Sequence, residues 1–520
     1  MSGISLLEDD SWEANYSLTI RLHDAASEAL FVTGDFSTLS SVINSPLVNA
    51  HSFEDKLNAY NNLVRALAAS SKYDEGITEC LNILAQLGEV IPTDITADVY
   101  RDEVIRVKQL MDGKSRTELL SLPLMLETKK LAAIQFMNHA LIMAYNAKPM
   151  LSPILVFRMV RLSILHGICN ISCFAFGCYG GWLVSEPSWD VEGGHSMGRV
   201  ATEMMNKLGA VEMTPRVYAT VYGFINIWKE PWQACLSKHL EAYESGASSG
   251  DIEYAITNLY QHINTAAFGC GENLERLSQN SQACAKRAFQ HNQMTLWKSS
   301  VIHDQFALDL MGIEKNAFSP YISGVTEESC FARAHDNNEI AVCRLIYMKK
   351  KYVAFFTGDL DGAAKFYELS QEYSMSSVGR QTPVLVTIFI DGLIAFFFAK
   401  DEVKWTDIGF GVMESVKKWA TNSDWNFSNK MFLLEAEYYF LMEDHTRALY
   451  CYNASIAAAR DHRFIHEEGL AEEKLATYLL HKSNPDEALG HFNNAKKCYE
   501  VWGAYTLVQH VEKAIAVLNR

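Results

Sequence analysis

Proline is scarce in this sequence, with 11 residues in 520, and there is no long low-complexity segment and no run of like charges. Because proline interrupts helices by removing a backbone donor, this scarcity favours a helical chain. Apolar residues make up 49% and charged residues 21%, which is ordinary for a folded soluble protein. A chain of this length could form several globular domains, or one continuous solenoid without a single central core.

Positive charge is in deficit, because 45 Lys and Arg residues stand against 62 Asp and Glu residues, for a formal net charge of −17. An acidic chain is a poor match for nucleic acid and for anionic membrane surfaces, which both attract a basic surface. The charge is compatible with a basic or zwitterionic protein partner, and equally with solubility alone.

The features of a secreted protein are missing as well. Residues 1–10 contain Glu8, Asp9 and Asp10 and no basic region, so they do not resemble a signal peptide. The eleven cysteines are odd in number and scattered, most of them on apolar helical faces. This pattern is typical of reduced, buried thiols and predicts a cytoplasmic protein.

Long uncharged runs are few. Leu162–Val184 has no Lys, Arg, Asp or Glu over 23 residues and is long enough to span a bilayer. Because His166 lies within it and Arg161 continues its helix, we interpret the run as a buried solenoid helix. A shorter run over residues 384–399 is interrupted by Asp391 and is predicted to be a buried repeat helix. No membrane span is therefore expected.

Nucleotide-binding and kinase signatures are absent from the sequence, which has no GxGxxG loop and no HRD or DFG motif. Gly113-Lys114-Ser115 resembles the end of a phosphate-binding loop, but position 108 is lysine where that loop needs glycine. The loop also requires a preceding strand, whereas Val99–Met111 is predicted to be a helix. We interpret residues 113–115 as an exposed linker and predict no catalytic or cofactor-binding residue.

Two histidine-containing clusters have spacings that metal sites use. His166, Cys169 and Cys173 fall at i, i+3 and i+7, on one face of the predicted helix, with Cys178 beyond them. No Cys-x-x-Cys pair accompanies them, so packing of small residues between helices is the favoured interpretation.

The second cluster pairs His462 with His466, four residues apart and followed by Glu467 and Glu468. The zinc-protease order HExxH would need a histidine at position 470, which is leucine. Capping and packing roles are therefore favoured, and the sequence predicts no metal site.

One short phrase recurs along the chain: a turn pair such as Gly-Asp, then a small residue, an aromatic residue and a second small residue. The clearest copy is Gly358-Asp359, Ala363, Tyr367 and Ser370. Looser copies begin at Gly34-Asp35, Ser71-Lys72, Gly250-Asp251, Glu443-Asp444 and Ser483-Asn484. The spacing places the small and aromatic residues on one helical face, and the Asp or Asn of the turn can cap the helix that follows.

The small-residue positions 39, 76, 255, 363, 448 and 488 lie near multiples of roughly 36–43 residues, the period of two-helix repeats. Such hairpins bury their apolar faces by stacking. The predicted fold is all-α, a tetratricopeptide-like superhelical solenoid of about eleven helical hairpins. Loops are expected over 245–250 and 316–328, the second separating residues 1–315 from a continuous second part, 329–520.

The acidic residues at these turns are Asp35, Asp251, Asp359 and Asp444. They recur because the turn recurs, and stacked repeats would hold them apart from one another. We therefore do not interpret them as paired catalytic carboxylates.

Two phrases near the C-terminus are more specific. Residues 459–471 (ARDHRFIHEEGLA) and 495–504 (AKKCYEVWGA) resemble the tetratricopeptide-like region of large multidomain signalling proteins. The likeness continues upstream through Leu84–Glu89, Trp228–Trp232 and Gly269–Leu274, so it covers nearly the whole chain in order. In those proteins a protein-kinase-like module and an AAA/STAND-type ATPase precede this region, and GAF and histidine-kinase modules follow it.

The resemblance implies a regulatory role. No position matches the catalytic residues of those modules, so we predict a non-enzymatic scaffold of a signal-transduction system. It is expected to bind a peptide, a partner domain or a small effector on its concave face, through residues that the sequence does not identify. The alternative is a fragment of a longer ATPase/histidine-kinase hybrid whose catalytic modules lie outside this chain.

Overall fold

The structure is a computed structural model that describes residues 3–8, 10–33, 35–70, 72–185, 188–314, 326–337, 339–373, 380–400 and 402–519. Within them the protein is an all-α helical solenoid, and β pairing is limited to one isolated bridge between Leu124 and Ile168. This confirms the predicted fold class. Helices α1 to α13 are Ser11–Ala14, Tyr16–Thr33, Phe36–Asn49, Leu57–Ala69, Tyr73–Gln86, Ala97–Met111, Arg116–Leu120, Thr128–Ala147, Leu151–His166, Asn170–Leu183, Val191–Leu208, Thr214–Thr220 and Trp232–Ser249. Helices α14 to α26 are Ile252–Thr265, Leu274–Gln290, Met294–Met311, Glu327–Asp336, Ile340–Phe356, Leu360–Gln371, Thr382–Phe398, Val403–Ala420, Asp424–Leu441, His445–Asp461, Ile465–His481, Pro485–Trp502 and Tyr505–Leu518.

The four turns of the recurring phrase that carry Asp are side-chain N-caps, as predicted, whereas the Asn484 side chain makes no cap and donates to Glu487 instead. The side chains of Asp35, Asp251, Asp359 and Asp444 each accept a hydrogen bond from a backbone N–H in the first turn of the helix that follows. The residue before the cap is left-handed in several copies, with φ of +81° at Gly358, a conformation that glycine adopts without steric cost. Gly34 and Ser71, which begin the two earliest copies, lie outside the described residues.

The small residues of the phrase lie on the buried face of their helices. Ala363, Ala448 and Ala488 are fully buried, each in the second helix of a hairpin. Of the aromatic positions, Tyr452 is fully buried, whereas Tyr367 is only half-buried. The repeat spacing therefore identified the packing face of these helices correctly.

The apolar run over 162–184 is two helices, so the prediction of one buried helix is wrong. Helix α9 ends at His166, and Gly167 follows with φ of +100°. A Cβ there would lie 2.6 Å from the Pro123 carbonyl oxygen, so the close approach of a second segment requires glycine. The shorter run over 384–399 is in α20 up to Phe398 and is buried up to Phe396, largely as predicted. No helix among the described residues is long and apolar enough to cross a bilayer.

The loop predicted over 245–250 is also wrong, because α13 continues to Ser249 and only Gly250 leaves the helix. The small residues there serve packing: a Cβ at Gly246 would lie 2.9 Å from the Cβ of Ala255 on α14. The break predicted over 316–328 falls mostly on 315–325, which lie outside the described residues, and the division there stays a prediction.

The chain forms two compact units. The first comprises residues 1–179 and 199–213, and the second comprises 180–198 and 214–520. The first contains the N-terminal hairpins, in which α5 packs against α8 and α6 packs against α9.

In the second unit, the first helix of each C-terminal hairpin and the last helix, α26, pack against the 226–311 segment. Asn426 on α22 accepts from the backbone N–H of Trp232, 194 residues away, at 3.1 Å. His466 on α24 contacts the Phe268 carbonyl oxygen at 3.2 Å, and Thr506 on α26 donates to the Asp309 carbonyl oxygen at 3.0 Å. We call this surface of α18, α20, α22, α24 and α26 the inner face. Repeats of an open solenoid contact only their neighbours, whereas here the unit's own chain covers the inner face.

Candidate functional sites

The loop that resembles a phosphate-binding motif is a connector between two helices. Helix α6 precedes it, as predicted, and Gly113 turns the chain with φ of +68°. Ser115 caps α7 in a reciprocal pair with Glu118, in which each side chain bonds the other's backbone N–H. The Ser115 hydroxyl is thus engaged in a cap, and the strand that a phosphate-binding loop requires is replaced by a helix.

The first histidine cluster is not on one helix face, so that prediction is wrong. His166 ends α9, whereas Cys169 precedes α10 and Cys173 lies within it. The His166 Nδ1 atom lies 3.2 Å from the Glu127 carboxylate. Burial raises the pKa of the Cys173 thiol to about 12, which makes it a poor thiolate ligand.

The second cluster is divided in the same way. His462 caps the end of α23 and stacks on Trp425, with ring centroids 4.5 Å apart. His466 lies on the next helix and is fully buried. Within the described part of the chain, no group of three or more His, Cys, Asp or Glu side chains is arranged to hold a metal ion.

A buried charged network lies on the inner face of the second unit. The Lys430 ammonium is 2.7 Å from the Glu467 carboxylate and donates to the Asn426 carbonyl oxygen at 2.9 Å. The same ammonium lies 4.7 Å from the ring centroid of Trp232 and 4.4 Å from that of Phe464. The pair thus joins α22, α24 and the start of α13 inside an aromatic enclosure.

The network is buried away from solvent, and this burial shifts the pKa values of its side chains. Burial lowers the pKa of Lys430, against the opposing effect of the Glu467 carboxylate, and burial also lowers the pKa of His466. Glu467 Oε1, Asn429 Oδ1 and His466 Nδ1 have no hydrogen-bond partner among the described residues. Because every side chain here is buried, we interpret the network as a structural connection, without access for a substrate.

Sequence reasoning missed these buried charges, although a signal was present. Lys351 on α18 pairs with Asp391 on α20, and both side chains are nearly inaccessible. Asp391 is the one charged residue in the apolar run over 384–399, where it was treated only as a break in hydrophobicity. A charged residue on a buried helix requires a partner, so its presence predicts an ion pair with a neighbouring repeat.

An open groove lies in the first unit, with a volume of about 320 Å³. Its walls come from α5, from the connection before α6, and from the start of α9. The lining residues are Thr78, Leu81, Asn82, Thr93, Ile95, Lys148, Pro149, Met150 and Leu151. Met150 is 49% exposed, and the Lys148 ammonium pairs with the Asp74 carboxylate at 3.2 Å at the rim.

The fold defines an all-α helical-repeat protein, and comparison with known proteins adds little to that class. No protein-family model matches the sequence, and no curated protein matches it. One similar solved structure is described as a circular tandem repeat protein with novel repeat topology and enhanced subunit contact surfaces. The identity is 10% over 96% of this chain and 95% of that chain, with a TM-score of 0.15. That likeness assigns neither family nor function.

Proposed function

We propose that this chain is a non-catalytic scaffold of a signal-transduction system, and that it binds a segment of a protein partner in the groove of the first unit. The open groove is the observation that supports this function. Helical repeats commonly present extended binding surfaces, and the resemblance of residues 459–471 and 495–504 supports a signalling setting. Nine of the eleven cysteines are buried and the described residues contain no disulfide, which supports a reducing compartment such as the cytoplasm.

The groove is preferred over the inner face of the second unit for an energetic reason. That face already contacts Trp232, Phe268 and Asp309 of its own unit. A partner would have to displace these buried contacts and expose the Lys430–Glu467 pair. The groove needs no such rearrangement, because Met150 and the polar groups beside it already face solvent.

The lining suggests the chemistry of the segment. Leu81, Ile95 and Met150 supply apolar contacts for one inserted side chain, and methionine adapts to ligands of different shapes. Thr78 and Asn82 are exposed on the same wall and can bond the backbone of an extended peptide. The volume is at the lower end of the range typical of ligand clefts, which fits a short segment.

A peptide library displaying single apolar residues, measured by fluorescence polarisation, tests this function. We expect wild type to select peptides that the variants Met150→Asp and Thr78→Arg bind at least about tenfold more weakly, a difference of about 1.4 kcal/mol. Val48→Asp is the matched control, because Val48 is exposed in the same unit and does not line the groove. Equal binding by all four proteins, or selection of no peptide, would contradict the proposal.

A further inference from the structure

Three arginines surround one buried carboxylate in the first unit. The Arg158 guanidinium contacts both oxygens of Glu103, with its Nε at 3.1 Å from each and its Nη2 at 2.5 Å from Oε1. Arg161 donates to Glu103 Oε2 at 3.1 Å, and the Arg106 guanidinium lies 3.7 Å from Oε1. Glu103 lies on α6, as does Arg106, whereas the other two arginines lie on α9.

This cluster carries a formal surplus of two positive charges. Glu103, with a side chain 3% exposed, is the one carboxylate paired with these arginines in the described part of the chain. The bidentate Arg158 pair alone satisfies a buried carboxylate well. The guanidiniums of Arg106 and Arg161 repel that of Arg158 and each other. An added anion would therefore lower the electrostatic energy of the cluster.

The cluster also has a buried donor that the Glu103 carboxylate does not engage. Arg161 Nε is buried and has no hydrogen-bond partner among the residues that the structure describes. A buried donor without a partner costs about 1–3 kcal/mol, and a bound oxyanion would remove that cost. Arg106, with a side chain 53% exposed, keeps the cluster accessible from solvent.

The cluster and the groove involve the same two parts of the chain, α6 with the residues just before it and α9. Ile95 lines the groove just before α6, which carries Glu103, and Leu151 lines it at the start of α9, which carries Arg158. Leu151 and Arg158 are seven residues apart, so they share a helix face at a separation of roughly 10 Å. An extended peptide covers that distance in about three residues.

We propose that Arg106, Arg158 and Arg161 form a binding site for a phosphoryl group, carried by the segment whose apolar side chain occupies the groove. A phosphate monoester has a charge of about −1.5 to −2 at neutral pH, which matches the surplus, and its oxygens suit guanidinium donors. The partner in this proposal rests on the proposed function, whereas the anion site does not.

Isothermal titration calorimetry with two probes tests the proposal. The first probe is inorganic phosphate, and the second is a peptide pair with one leucine and, three residues away, either serine or phosphoserine. We expect phosphate to bind wild type at least tenfold more tightly than the variant R106Q/R161Q. We expect the phosphoserine peptide to bind wild type at least tenfold more tightly than its serine twin, and R106Q/R161Q to lose this preference.

Matched variants keep the outcomes distinct. R101Q is the control, because Arg101 is exposed on α6 and pairs with Asp98 outside the cluster. Arg158 is left intact since it holds Glu103, and R106Q alone serves if the double variant unfolds. Equal phosphate binding by wild type, R101Q and the cluster variants would overturn the anion site, even where the serine peptide still binds the groove. Phosphate binding without any preference for the phosphoserine peptide would contradict the proposal that the phosphoryl group is carried by the segment in the groove.

Discussion

At the scale of single residues, the Lys430–Glu467 pair shows how the second unit connects distant parts of its chain. Replacing a buried ion pair by apolar residues is often neutral, whereas removing one partner leaves an uncompensated charge. The pair lies on α22 and α24, against the Trp232 ring at the start of α13. We therefore expect the pair to fix how these helices meet more than to add net stability.

A double-mutant cycle tests that role. We expect Lys430→Met to lower the free energy of unfolding by about 3–5 kcal/mol, because it removes the cation that pairs with the buried Glu467 carboxylate and leaves only the Asn429 amide donating to it. The double variant Lys430→Met/Glu467→Met should regain much of that loss. The measurement is urea denaturation followed by tryptophan fluorescence, and losses that simply add would contradict a coupled pair.

Two buried histidines predict acid sensitivity. Burial lowers the pKa of His239 from 6.5 to about 4 and that of His303 to about 3. In the unfolded chain both imidazoles take up a proton as the pH falls below the ordinary histidine pKa. In the folded chain both rings stay neutral to lower pH. Stability from these groups is thus fully present above about pH 6.5, and it is lost as the pH falls toward 4 for His239 and toward 3 for His303.

The double variant His239→Gln/His303→Gln measures this effect. We expect the urea midpoint of wild type to fall between about pH 7.5 and about pH 5, and the midpoint of the variant to fall clearly less. Glutamine keeps a polar group near Asn258 and Asn264, which bond the two rings at 3.0 Å. Identical pH profiles would show that other groups carry the acid sensitivity.

At the scale of helices and turns, the sequence predicts the features that depend on neighbouring residues within one hairpin. The caps at Asp359 and Asp444 and the packing of Ala363 follow from spacing within one hairpin. The predictions around Gly167 and Gly246, a continuous helix through the first and a loop at the second, are both wrong, because a glycine that allows close approach carries no distinct local signal. The difference lies in the partner segment, around Pro123 and Ala255, which no local pattern contains.

The cap at Asp359 predicts a measurable difference between two similar variants. We expect Asp359→Ala to cost about 0.5–2 kcal/mol of unfolding free energy, because the backbone N–H of Gly362 loses its acceptor. Asp359→Asn keeps the acceptor and should cost far less. Chemical denaturation of both variants is the test, and an equal loss would show that the carboxylate acts outside the cap.

Substitution of glycine by alanine is expected to change stability in opposite directions at two positions. Gly271 has φ of +61°, and a Cβ there would overlap the buried His466 imidazole, so Gly271→Ala should strongly destabilise the second unit. Gly490 lies inside α25 with open space around it, so Gly490→Ala should stabilise by about 0.4–1 kcal/mol. Thermal unfolding compares them, and a neutral Gly271→Ala would contradict the packing of residues 266–271 against α24.

At the scale of the whole molecule, repeat spacing predicted a helical solenoid but not what its surfaces contact. The groove joins three segments, 78–82, 93–95 and 148–151, and the inner face contacts residues as far as 199 positions away. Such contacts depend on how hairpins stack, which one sequence does not reveal. The arginine cluster left a trace, since Glu103 occupies an apolar position between Val99 and Val107 on α6.

Hydrogen–deuterium exchange with and without the tightest peptide of the library tests the central claim, that partners bind the groove of the first unit. We predict that the peptide slows exchange over residues 78–82, 93–95 and 148–151. Exchange over Ile465–His481, on the inner face of the second unit, should stay unchanged. Slowed exchange in Ile465–His481, with none in the three groove segments, would contradict the account.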